Sequence, residues 1–226
     1  GNFNYTNMDE LKASAFGAET IPAFVDYVEG IYVGYKFYET AAAEGLIDYD
    51  KTVVYPFGRG LSYTTFTQSL NSVTEADGTI TVDVTVTNTG SASGKEVVEV
   101  YYNPPYTNGG IEKASANLIG FAKTSELAPG ASENVTVTFK AEDMASYDTY
   151  GKGCYVLEKG DYVISINADS HTVLDSKTYT VASDIVYDAS NKRESDVEVA
   201  DNKFGFAEGN VTYLSRANGF ANYAEA

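Results

Sequence analysis

Between Thr79 and Asn88 the chain alternates without a fault. Ile80, Val82, Val84 and Val86 are aliphatic and β-branched, and Thr81, Asp83, Thr85 and Thr87 between them are polar. Side chains of a strand point to opposite faces with period two, so this stretch predicts a half-buried antiparallel strand, one face dry and one wet. The preceding Asp77-Gly78 fits a two-residue hairpin turn and places an earlier strand over Phe66–Val73. Strand-sized runs follow at Glu96–Tyr102, Asn117–Lys123, Val135–Phe139, Gly153–Leu157, Tyr162–Ala168 and Lys177–Val181, divided by Pro104-Pro105, Pro129-Gly130 and Lys159-Gly160. No gap between them is long enough for a crossover helix, which excludes a parallel α/β sheet. Short strands at this spacing predict a mainly β fold, an antiparallel β-sandwich of immunoglobulin-like type.

The two ends read differently. From Met8 to about Glu44 the pattern suits helix. Asn7 can cap a helix over Met8–Phe16, with Asp9 and Glu10 in the first turn where the helix dipole favours anions, and Ile21–Val28 and Val33–Ala43 can hold further turns. Tyr55-Pro56-Phe57-Gly58-Arg59-Gly60-Leu61-Ser62-Tyr63 is punctuated by proline and glycine and reads as a connector. Past about Asp184 the alternation fades into Asp188–Asp196, a charged, small-residue linker. Phe204–Ala226 regains aromatics with no period, so it needs a surface to pack on and reads as the edge of another domain. The resulting division is 1–63, 64–183 and 184–226.

Composition limits what these segments can do. In 226 residues with 43% apolar content there is material for one core plus flanks. A formal net charge of −17 argues against nucleic acid and anionic lipid as partners, since both require a cationic face. With one cysteine, Cys154, and one histidine, His171, no internal disulfide or Cys/His metal site can be assembled. The apolar runs, such as Glu96–Tyr102 and Tyr162–Ile166, fall far short of the roughly 20 residues that span a bilayer. Gly1–Glu10 lacks the basic start of a signal peptide, which for a fragment says nothing of its parent. Richness in Ser, Thr, Asn and Tyr with few Lys leans toward an extracellular or surface-attached parent.

Two long motifs carry a family resemblance. Tyr27-Val28-Glu29-Gly30-Ile31-Tyr32-Val33-Gly34-Tyr35-Lys36-Phe37-Tyr38, followed by Tyr55–Tyr63 and Thr64-Thr65-Phe66, resembles the end of the α/β sandwich domain of glycoside hydrolase family 3 and its exit into a fibronectin type III-like domain. Val84-Thr85-Val86-Thr87-Asn88-Thr89-Gly90, Gly94–Val98, Leu118–Lys123, Leu127–Ser132 and Gly160-Asp161-Tyr162 are similar to that domain, so the likeness runs from about Tyr27 to Val181. The tail Phe204–Arg216 resembles the start of the barrel in the permuted subgroup, where the module lies between the α/β sandwich and the barrel. The loop Asn103–Asn117, with Gly109-Gly110, is less typical. The resemblance implies a parent of β-glucosidase type, a retaining exo-glycosidase with two carboxylates about 5 Å apart across the sugar. In that family the nucleophilic aspartate is on the barrel and the acid/base glutamate is upstream of the motifs present here. The chain is therefore expected to carry no catalytic residue, metal or cofactor. Its expected partners are the parent's catalytic domains, through which alone it meets carbohydrate.

Other candidates have plainer readings. Glu29 lies inside the family-like segment and reads as a structural carboxylate. Glu142-Asp143 reads as a solvated turn before Met144, and Asp169-Ser170-His171 as a hairpin loop despite its triad composition. Asn4, Asn134 and Asn210 open glycosylation sequons, coincidental in a chain of bacterial character. Lys152 and Lys159 flank Cys154 and would lower its thiol pKa slightly, although a lone cysteine is by default a small buried hydrophobe. The other function class is an independent carbohydrate-binding or adhesive module; there is no Trp, but Tyr101, Tyr102 and Tyr106 could form its aromatic platform.

Overall fold

A computed structural model describes residues 27–200 and 211–224. The helix expected over Met8–Phe16 and nearly all of that over Ile21–Val28 lie outside the described residues. Among the described residues two helices come first, α1 (Tyr35–Ala43) and α2 (Tyr49–Thr52). Then follow β1 (Phe66–Ala76), β2 (Thr79–Asn88), β3 (Val97–Asn103), β4 (Asn117–Lys123), β5 (Ser132–Lys140), a 3₁₀ turn at Ala141–Met144, β6 (Ser146–Tyr147), β7 (Tyr155–Leu157), β8 (Gly160–Asn167), β9 (Val173–Val181) and β10 (Ile185–Tyr187).

All strand pairs are antiparallel. A sheet of order β1-β2-β5 faces one of order β4-β3-β8-β9, and a small sheet β10-β7-β6 accompanies them. The alternation in β2 has the consequence expected of it. Ile80, Val82, Val84 and Val86 are fully buried and meet Val98 and Val100 of β3, Val135 and Val137 of β5, and Ile164 and Ile166 of β8 in one core. Each such aliphatic side chain contributes about 1.5–3 kcal/mol by leaving water. On the other face Thr85 Oγ1 donates to Asn134 Oδ1 at 2.8 Å and Thr136 Oγ1 to Asp83 Oδ1 at 2.7 Å, so the wet face is tied by side-chain hydrogen bonds. Ala76 pairs with Thr79 across Asp77-Gly78, both at positive φ, which is the hairpin geometry that matches strand twist.

The structure departs from the sequence pattern at the third sheet. Gly153 and Cys154 are outside β7; Gly153, at φ 64°, belongs to a turn in which Asp148 O accepts from Gly153 N at 2.9 Å. Strands β6 and β10 had no periodic signal, being two and three residues long. Through β10, pairing continues past Asp184, and beyond it Arg193 lies 3.6 Å over the Tyr155 ring.

Helix α1 follows Gly34 and ends in a Schellman motif. Gly45, at φ 75°, donates to Ala42 O at 3.0 Å, and Leu46 N donates to Ala41 O at 2.8 Å. The helix is fastened to the four-stranded sheet: Leu118 N donates to Tyr35 OH at 2.9 Å, and Ser115 N donates to Thr40 Oγ1 at 2.9 Å. A second, smaller apolar cluster joins Tyr32, Ala41, Ala114, Leu214 and Phe220. Of the tail aromatics, Phe220 and Tyr223 thus find their surface on the segment around α1, against Tyr32 and Phe37, while Phe204 and Phe206 lie outside the described residues.

Candidate functional site

Two carboxylates collect the polar contacts between the sandwich and its flanks. Glu39, buried in α1, accepts at Oε1 from Tyr49 OH at 2.6 Å and from Ser170 Oγ at 2.8 Å, and its Oε2 is 2.8 Å from His171 Nδ1. The His171 ring lies flat on Tyr49, centroids 3.7 Å apart and planes 5° from parallel. Ser170 N also donates to Phe57 O at 2.8 Å, so the β8–β9 hairpin loop grips the helix and the connector together. Asp169 Oδ1 accepts from His171 N at 3.0 Å and Thr172 N at 2.7 Å, which fixes the loop.

The second carboxylate, Glu112, lies in the atypical β3–β4 loop. It accepts from Tyr32 OH before the sandwich, and from Ser215 Oγ and Arg216 N after it. Arg216 continues the junction, donating to Glu44 Oε1 at 2.6 Å and Lys113 O at 3.1 Å. Lys113 is itself buried, pairs with Glu158 and donates to Pro105 O at 2.7 Å. Val28 O and Leu214 N meet at 2.6 Å beside this network.

Between α1 and the outer face of β8 and β9 runs a cleft of about 620 Å³, bounded by Ala42, Ala43 and Ile47 on the helix side and by Ser165, Asn167 and Val173 on the sheet side. Among the described residues, Glu39 is the only acidic one lining it. Glycoside cleavage with retention needs two carboxylates aimed at one anomeric carbon, and this cleft presents one, already engaged by two hydroxyls and an imidazole. A serine nucleophile fares no better. Ser170 Oγ donates a hydrogen bond to the carboxylate that His171 also contacts, so in this geometry the imidazole stands beside the serine's acceptor.

The residues singled out from sequence fall as follows. Glu29 is half-buried in a turn and borders a shallow apolar hollow with Phe37, Leu214 and Tyr223, away from Glu39. Glu142 and Asp143 diverge within the 3₁₀ turn, Asp143 Oδ2 accepting from Lys140 N at 3.1 Å and Glu142 Oε1 from Glu194 N at 2.8 Å. Burial pushes the Cys154 thiol up; Lys152 pulls the other way without outweighing it. Asn134 is an exposed strand residue of the wet face, and Asn4 and Asn210 are outside the described residues.

Of the proposed platform tyrosines, Tyr101 is buried and donates to Glu99 Oε2 at 2.8 Å, Tyr102 packs against the core, and the Tyr106 ring is covered by the Arg216 guanidinium at 4.1 Å. Tyr101 and Tyr102 both border the cleft beside α1, and Tyr102 and Tyr106 are half-buried. Sequence inspection missed Glu39 and Glu112. The available signal was positional: Glu39 lies four residues after Tyr35, on the same helix face as a family-like aromatic.

Residues 96–170 match the family model described as the fibronectin type III-like domain. The sandwich is a fibronectin type III-like domain. The chain is 40% identical over 189 residues to β-glucosidase A of Butyrivibrio fibrisolvens, covering 75% of the chain and 22% of that protein. It is 37% identical over 161 residues to a β-glucosidase of Ruminococcus albus, covering 70% and 16%. Among solved structures, β-glucosidase 3B of Thermotoga neapolitana in complex with α-D-glucose superposes with a TM-score of 0.63 at 34% identity, covering 79% of this chain and 24% of that one. The chain therefore spans about a fifth of the length of the curated relatives it matches. The fibronectin type III-like domain and its neighbours correspond to one region of larger, multidomain proteins.

Proposed function

We propose that the chain is a non-catalytic module of a glycoside hydrolase family 3 enzyme of β-glucosidase type, with the adjoining edges of two other domains, and that it buttresses the catalytic domains. The observation that carries this is the use of two carboxylates, the buried Glu39 and the half-buried Glu112, as fasteners. Glu39 and Glu112 spend their acceptors on holding α1, the connector and the tail against the sandwich, and among the described residues Glu39 is the one acidic side chain lining the cleft beside α1. The division that goes with this reading makes residues 1–63 the last part of an α/β domain and its connector, 64–183 the module, and 184–226 a linker and the start of a barrel, the order of the permuted subgroup. The tail's attachment beside α1 supports that order, because it returns the chain to the domain it left.

Turnover of a chromogenic aryl β-glucoside by the purified chain tests the proposal. No activity is expected either for the chain or for Glu29→Gln. Activity in the chain that Glu29→Gln abolishes would overturn the assignment.

A further inference from the structure

The cleft beside α1 has a floor set by strand register. Across the four-stranded sheet Tyr101 pairs with Ser165, Ser165 with Ser176, and Asn167 with Val173, and residues paired in this way present their side chains to the same face. The hydroxyl and amide groups of Ser165, Asn167 and Ser176 are thereby set among the apolar Val163 and Val173. Facing them, Ala42 and Ala43 of α1 are short enough to leave the space of about 620 Å³ open, within the roughly 300–1,000 Å³ of small-molecule sites. Asn167 is not satisfied by the fold. It is 2% exposed, and its Oδ1 is buried with no hydrogen-bond partner among the described residues. An amide oxygen in that state destabilises the fold unless a donor reaches it. A bulge in β9 at Leu174 interrupts the ladder beside Asn167, and bulges of this kind re-aim a side chain.

Charge and polarity narrow the ligand that fits. Among the described residues Glu39 and His171 are the only acidic and basic side chains lining the cleft, and they are bonded to each other at 2.8 Å, so an ionic ligand finds no unspent countercharge. A purely apolar ligand would leave Asn167 as it stands. A sugar ring carries both kinds of group that the floor can use, hydroxyls around its edge and C–H bonds on its faces. We propose that the cleft is a non-catalytic binding site for a neutral saccharide of one or two rings, with a hydroxyl donating to Asn167 Oδ1 and the C–H face lying against Val173 and Ile47. The inference goes beyond the buttressing role and does not depend on it, since this chain's own residues hold the ligand.

Titration of the ¹⁵N-labelled 226-residue chain with cellobiose, maltose and glucose tests it, read by nuclear magnetic resonance at the amides of residues 165–173. At least one of the three sugars is expected to give saturable shifts there, centred on the side-chain amide of Asn167, and Asn167→Ala to weaken that binding at least about tenfold. Ala43→Phe, made at an exposed position of α1, is expected to fill the cleft and abolish the shifts while the chain keeps its circular dichroism. The absence of saturable shifts with all three sugars overturns the proposal. So do shifts that Ala43→Phe leaves unchanged, and so does tighter binding of glucuronate, whose carboxylate the cleft has no free cation to meet.

Discussion

At Glu99 a carboxyl sits half-buried on β3 with Tyr101 OH bonded to it and the connector passing at Gly58. Burial pushes its pKa up, Asp169 and Glu96 add to the rise, and the hydrogen bond from Tyr101 offsets part of it. The folded chain therefore keeps this proton at a pH where the unfolded chain has lost it. In that window, starting near the ordinary glutamate value of about 4.3, the folded state binds more protons and stability falls as pH rises. Glu99→Gln keeps an acceptor for Tyr101 and removes the charge, so its urea midpoint should fall less than the parent's between about pH 4 and 7. Identical pH profiles would show that the charge at Glu99 is not what makes the difference. Single residues such as this were the least legible feature of the sequence. Glu39 meets Ser170 across a separation of 131 residues, and no local pattern announces a contact at that range.

Elements were legible in proportion to their length. β2 displays four full periods and its burial follows them residue by residue, whereas β6 and β10 are too short to show any period and exist because β7 offers them a partner. Helix α1 was expected over Val33–Ala43 and begins at Tyr35, after the positive φ of Gly34. Packing between sheets imposes a requirement that periodicity does not express. Gly120 of β4 faces β5 so closely that an added Cβ would stand 2.7 Å from Val137 Cγ1. Gly120→Ala is therefore expected to cost about 1–3 kcal/mol through overpacking, read as a lowered denaturant midpoint with an unchanged slope. Restoration of stability by Val137→Ala in the same chain would locate the clash between those two side chains.

For the whole molecule, tyrosine is the dominant aromatic, with 19 in the chain. Burial pushes the phenols of Tyr32, Tyr49, Tyr101 and Tyr162 well above the ordinary tyrosine value and raises that of Tyr35. Above about pH 10 the unfolded chain releases protons that the fold retains, so stability must decline as pH rises further. The last part of the tyrosinate absorbance rise should then coincide with loss of far-ultraviolet circular dichroism; complete ionisation in a chain still folded would contradict it. The meeting of Val28 with Leu214 has a mechanical consequence. Tension applied along a polypeptide containing this module would enter at Val28 and leave at Leu214, loading their hydrogen bond and the contacts of Glu112 first. The sheets between them lie off the line of force, and they feel none of it until that short bypass gives way.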